Sequence, residues 1–190
     1  MHVMLARVRH DADPCARWRL QAPTSTREGQ PTWRRDRYEA EVVRPADETP
    51  EATFERVWAR IAHYRIFPDT LLWASICPPG EVTEGAVIVQ RFRVWMVTVE
   101  CAVRVIDRWD ENTGETRRAG FRYVTLAGHP ERGVESFEVR SDATGRITVV
   151  IAARSRAGTL LTWLGHPYAR RLQVSATERA LRSLTRGDPD

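Results

Sequence analysis

Lysine is absent from this chain: all 29 of its basic residues are arginine. They stand against 25 acids, so the net charge is only +4, and residues 1–44, with nine Arg against six Asp and Glu, hold +3 of it. A nucleic-acid binder concentrates positive charge on one structured face interleaved with aromatics. The rest of the chain is close to neutral, so no nucleic-acid partner is expected. Cysteine is scarce as well. Cys15, Cys77 and Cys101 are odd in number and far apart, with no C-x-x-C and no histidine pair at metal-ligand spacing. The reading is three reduced thiols in a cytoplasmic protein, with no metal and no cofactor. Long hydrophobic runs are missing: nothing approaches the roughly 18 apolar residues of a membrane span, which argues against integral membrane association. Arg7, Arg9, Asp11 and Asp13 stand where a signal peptide needs an unbroken apolar stretch. The G-x-S-x-G, H-E-x-x-H, G-x-G-x-x-G and P-loop signatures are absent too, which removes the common hydrolase, zinc-protease and nucleotide readings.

What is present is patterned from about residue 37 onward. Residues 1–36 mix Asp, Pro, Gly, Ser, Thr and Arg with little periodicity and read as a flexible or loosely docked segment, although Trp18 and Trp33 suggest that parts of it lie on the domain or on a partner. Residues 37–186 read as the domain and 187–190 as a disordered tail. Tyr38, Ala40 and Val42 alternate with Glu39, Glu41 and Val43 as in a first strand over 37–44. Thr49-Pro50-Glu51 is a helix start, with a hydroxyl to accept an orphan amide, a proline suited to the first helical position and an acid for the dipole. Phe54, Val57, Trp58 and Ile61 then fall on one helical face. Short runs rich in Val, Ile, Thr and aromatics follow, bounded by turn residues, and predict strands near 71–76, 86–93, 97–107, 118–126, 134–140 and 147–154. From residue 159, Leu161, Leu164, Tyr168, Leu172, Ala176, Ala180 and Leu184 recur at helical spacing, with Pro167 either kinking the helix or lying in its first turn.

This order of elements predicts an α+β fold, a curved six- or seven-stranded antiparallel sheet wrapped around the long C-terminal helix, with one short helix after the first strand. A strongly bent sheet does not always fill its concave side, and the space left over is a ligand pocket. Leu164, Tyr168 and Leu172 are placed to line it from the helix. The densest segment, residues 120–133, presents His129 and Glu131 in a turn between two strands, suited to proton transfer or simply to capping the turn. Phe121, Tyr123 and Thr125 share one strand face, where the tyrosine and threonine hydroxyls could meet a ligand or belong to ordinary core packing. Arg154 shares a face with Thr148, Val150 and Ala152; facing inward it would need an anionic partner, facing outward it would be solvated.

With those residues in view, the chain resembles the family known as domain of unknown function 1990 (DUF1990). The family pattern is matched at Gly120, Phe121, Tyr123, Thr125, Leu126, Gly128, His129, Glu131, Gly133, Glu135 and Phe137, then at Ser155, Arg156, Leu164, Gly165, Pro167, Arg170 and Gln173. It departs at Val124, where the family has glycine, at Arg154, where it has phenylalanine, and at Ala157, where it has proline. The family is similar to the START-like (SRPBCC) helix-grip superfamily. That resemblance implies a sheet-and-helix fold holding a hydrophobic molecule or lipid, and it brings no established activity. Three functions follow as expectations: binding of a hydrophobic small molecule or lipid, with Tyr123, Thr125, His129, Glu131, Arg154, Leu164, Tyr168 and Leu172 as candidate ligand contacts; a cyclase- or dehydratase-like enzyme using His129, Glu131 and Tyr123; and a protein-interaction module acting through the arginine-rich amino segment.

Overall fold

The structure is a computed structural model that describes residues 14–25, 32–94, 97–157 and 166–186. Alternating β-branched and polar residues form seven strands: β1 (Arg34–Glu41), β2 (Leu72–Cys77), β3 (Val87–Val94), β4 (Val97–Asn112), β5 (Arg117–Thr125), β6 (Glu131–Ser141) and β7 (Ile147–Ala157). Together they make one antiparallel sheet in the order β1-β7-β6-β5-β4-β3-β2. Consecutive strands from β2 to β7 pair with their sequence neighbours as a meander, and β1 returns to the far edge beside β7. The register of β4 against β5 shifts between Val105 and Asp107, an irregularity of the kind that bends a strand and sharpens local twist.

Among the described residues three helices join the sheet: α1 (Pro14–Arg19), α2 (Pro50–Ala62) and α3 (His166–Arg186). Helix α2 begins where the sequence placed it. The Thr49 side chain accepts a hydrogen bond from the Ala52 amide at 3.1 Å, and Pro50 occupies the first turn. Its apolar face, Phe54, Val57, Trp58 and Ile61, is buried against the inner side of the sheet with Phe121, Phe137, Val139, Val149 and Ile151. Each such side chain is worth roughly 1.5–3 kcal/mol of burial. Helix α3 packs on β1, β7 and α2 and adds Ala180 and Leu184, both fully buried, to the same core. The sequence assigned this cover to the C-terminal helix alone. In fact α2 shares it, because its apolar face is wide enough to lie across β5, β6 and β7.

Two other expectations change. The first strand starts at Arg34 and ends at Glu41, three residues earlier than read, because Arg34, Arg35 and Asp36 already pair with Ser155, Arg154 and Ala153 on β7; Tyr38, Ala40 and Val42 still share the inward face. The reduced-thiol reading also fails. Cys15 and Cys77 are joined in a disulfide across 62 residues, with their Cα atoms 5.6 Å apart, and only Cys101 is free. Helix α1 brings the pair together by lying on the outer face of the sheet, where Trp18 packs on Cys77, Val87, Val89, Ala102 and Leu126. Disulfides persist in oxidising surroundings, so the thiol argument for a cytoplasmic location falls with the thiols. No helix among the described residues is long and apolar enough to cross a membrane.

Candidate functional site

The inner face of the sheet is not uniform along its strands. At one end, Phe54, Phe121, Phe137, Ile61 and Leu184 close it with apolar side chains that water does not reach. Toward the other end of β3 to β6 the same face turns polar, because alternation brings Gln90, Cys101, Tyr123 and Glu135 to the side of Ile88, Val103, Phe121 and Phe137. Tyr64 joins them from just beyond α2. Its backbone lies in the left-handed region at φ 57°, a conformation unfavourable for a bulky residue, and this turns its ring into the aromatic group formed by Phe67, Phe121, Tyr123 and Phe137, with centroids 6.1–6.4 Å away.

The polar groups form one chain. The Cys101 thiol donates to Gln90 Oε1 at 3.6 Å, Gln90 Nε2 donates to the Tyr64 hydroxyl, and the Tyr123 hydroxyl lies against that of Tyr64 and donates to Glu135 Oε2. Burial dominates the titration of every ionisable member. It raises the Tyr64 and Tyr123 phenols and the Cys101 thiol above their ordinary ranges. It pushes the Glu135 carboxyl up to about 7, with the Tyr123 hydrogen bond opposing the rise and the nearby Glu131 and Asp36 carboxylates adding to it. A half-buried carboxyl that exchanges its proton near neutrality, coupled to two phenols, can donate or accept a hydrogen bond and can move a proton.

Compared with known families, the sequence matches the one described as Domain of unknown function (DUF1990) over residues 20–183. The chain belongs to the DUF1990 family. No curated protein matches it. Among solved structures, TTHA0849 from Thermus thermophilus superposes at TM-score 0.52 with 9% identity, over 80% of this chain and 94% of that one. Norcoclaurine synthase from Thalictrum flavum, in complex with dopamine and hydroxybenzaldehyde, is a looser likeness at TM-score 0.44 with 10% identity over 83% and 88%. The ginseng major latex-like protein 151 from Panax ginseng is another at 0.42 with 11% identity over 77% and 93%. At such identities the likeness concerns the fold, the helix-grip arrangement of a curved sheet and a long terminal helix.

The sequence-derived candidates of this DUF1990 domain separate on the sheet. Tyr123 lies in the polar chain. Thr125 shares its face, but its hydroxyl accepts from the Gly133 amide at 3.0 Å and contacts the Thr24 hydroxyl, so it ties the amino segment and β6 together. His129 is bound to its own turn: Nδ1 accepts from the Glu131 amide at 3.0 Å, and burial lowers the imidazole to about 4, which keeps it neutral. The Glu131 carboxylate acts on Glu135 at a distance. Arg154 faces outward, opposite Val134 on β6 and Arg35 on β1, because Ala153 and Ser155 take the inner positions beside it. Leu164 lies outside the described residues, and Tyr168 and Leu172 are in α3 with side chains outside them.

The structure adds Tyr64, Gln90, Cys101 and Glu135 to the site. Two had a signal in the sequence. Glu135 precedes Phe137 and Val139 on one face of a strand, and Gln90 sits between Ile88 and Phe92 on another; a polar residue in an apolar row is informative because burying it is costly. Tyr64, two residues beyond the end of α2, had none.

Proposed function

We propose that this domain holds a small, largely apolar molecule between the sheet and α3, with the polar end of that molecule against Tyr64, Tyr123 and Glu135. One observation carries the reading: a carboxyl and two phenols are hydrogen-bonded in series on the inner face of a sheet whose other end is closed by Phe, Ile and Leu. A face that only had to be filled would carry apolar residues along its whole length, since an interior carboxyl costs several kcal/mol that packing does not return. The mixture of an aromatic wall with a few convergent polar groups is what small-molecule sites use for affinity and orientation. Native mass spectrometry after gentle purification, followed by a thermal-shift screen with fatty acids, isoprenoids and aromatic carbonyl compounds, tests it. A bound mass lost on denaturation, with occupancy reduced in Glu135→Gln and Tyr123→Phe, is the expected result. A bare chain mass with no shift from any of these classes sinks the reading.

A second reading has its own support, the Glu135 carboxyl near 7 beside the Tyr123 hydroxyl. In a cyclase- or dehydratase-like enzyme these two, rather than His129, are the groups able to exchange a proton with a bound carbonyl compound. Once a bound compound is identified, its turnover should follow one ionisation near pH 7 that disappears in Glu135→Gln; a pH-independent rate rules this out. The interaction-module reading has less to work with, because residues 14–25 spend their contacts on the domain itself: Trp18 Nε1 donates to Glu100 at 3.0 Å, Arg17 pairs with the same carboxylate, and the Thr24 amide donates to Thr125 O at 2.9 Å.

A further inference from the structure

On the outer face of the sheet, away from Tyr64, Tyr123 and Glu135, strand register places arginines directly opposite one another twice. Arg35 on β1 pairs with Arg154 on β7, and Arg132 on β6 pairs with Arg156, two residues along β7 on the same face. Like charges at directly opposed positions destabilise a sheet, so two adjoining instances form a feature that the fold tolerates rather than gains from. Along β1 and β6 the first acids on this face, Glu39 and Glu138, are taken: Glu39 pairs with Arg37, and Glu138 with Arg140 and the Trp109 indole. Arg35, Arg132 and Arg156 are exposed, and among the described residues none of the three has an acidic partner. Arg154 is half-buried between them.

Against Arg156 lies a second, independent feature. Trp33 is 6% exposed, the Arg156 guanidinium stands 5.2 Å over its ring, and its indole N–H is a buried donor without a hydrogen-bond partner. Buried donors are almost always satisfied, because leaving one unpaired forfeits its hydration with nothing in return. Arg35, Arg132 and Arg156 share this face, and they and the spare indole N–H are all donors, with no acceptor among them. The missing complement is an acceptor with several oxygens and more than one negative charge. A carboxylate has two oxygens and fills one guanidinium fork; a phosphate group has enough to engage several forks at once.

We propose that Arg35, Arg132 and Arg156, on the outer face beside Trp33, form a binding site for a phosphate group. The site is independent of the inner face and of the ligand proposed for it. Inorganic phosphate supplies the chemistry from solution, and the headgroup of an anionic phospholipid supplies it from a surface. The full chain is titrated with sodium phosphate, with sodium chloride at equal ionic strength as the control, and the indole N–H resonance of Trp33 is followed after assignment by its loss in Trp33→Phe. In parallel the protein is sedimented with phosphatidylglycerol and with phosphatidylcholine vesicles. A saturable Trp33 shift with phosphate but not chloride supports the site with free phosphate as the source. Retention on phosphatidylglycerol only, without the solution shift, supports it with the lipid as the source. In either case Arg132→Gln/Arg156→Gln should weaken binding at least tenfold, and Arg156→Lys, which keeps the charge and loses the fork, several-fold. These positions are exposed, and an unchanged pattern for the other indoles reports that each variant is folded; Arg35→Gln repeats the test at a third position should one variant misfold. No Trp33 shift and no vesicle retention overturns the proposal, as does binding that the arginine substitutions leave unchanged.

Discussion

The two ends of the inner face are built on the same strands and do opposite things. Phe121 and Tyr123 are neighbours on one face of β5, and Phe137 and Glu135 are their register partners on β6. Phe121 and Phe137 are fully buried with ring centroids 5.5 Å apart, whereas Tyr123 and Glu135 are joined by a hydrogen bond and carry strongly displaced titrations. One rung of the sheet separates a packed core from a polar chain. Stability and the proposed ligand contacts therefore sit on different rungs, and each should respond to substitution without the other.

The largest effect belongs to the packed end. Phe121→Ala removes a fully buried ring from contact with Tyr64, Phe137 and Tyr123 and should cost about 3–5 kcal/mol of unfolding free energy in urea melts. Tyr123→Phe keeps the ring and removes one hydroxyl, so about 1 kcal/mol is expected. Comparable losses from the two would erase the distinction between the ends.

The polar end should show itself through pH. Folding raises the Glu135 carboxyl from 4.5 to about 7, so in that window the native state binds more protons than the unfolded chain and stability falls as pH rises, levelling off above 7. His129 does the reverse. Its imidazole is lowered from 6.5 to about 4, so the unfolded chain binds more protons and stability is lost as pH falls through the same window. The two slopes oppose each other, and wild-type stability between pH 4.5 and 6.5 should be comparatively flat. Glu135→Gln, in which the amide oxygen can still accept from Tyr123, should be more stable than wild type above pH 7 by on the order of 2 kcal/mol and should expose the rising slope left by His129. His129→Asn should expose the falling slope. Parallel profiles for both variants would mean that neither burial effect is real.

How much of this could be read from the chain follows the same division. Periodicity located α2, α3 and all seven strands, because the packed end rests on apolar alternation, and that is local in sequence. The polar end draws on Tyr64, Gln90, Cys101, Tyr123 and Glu135, which lie on four strands and a helix exit and are joined only by register. His129 and Glu131 attracted notice as adjacent titratable residues in a glycine-flanked turn, yet adjacency in a turn is most easily satisfied within the turn. The Cys15–Cys77 bond was hidden for the same reason as the polar chain: 62 residues separate the thiols, and only the docking of Trp18 on the outer face brings them together.

The smallest effect tests whether the two ends are joined through α2, whose first turn helps close the packed end and whose exit delivers Tyr64 to the polar one. Thr49→Ala removes the hydroxyl that accepts from the Ala52 amide and should cost about 1 kcal/mol, a fall in melting temperature of roughly 2–4 °C for a chain of this size. The frayed turn lies more than three helical turns from Tyr64, and the ring contacts of Tyr64 with Phe121 and Phe137 hold it from the sheet side. The Glu135 carboxyl, followed by carbon-detected NMR, should therefore titrate near 7 as in the wild type. A displaced titration in the variant would show that α2 transmits strain from its capped end to the hydroxyl chain.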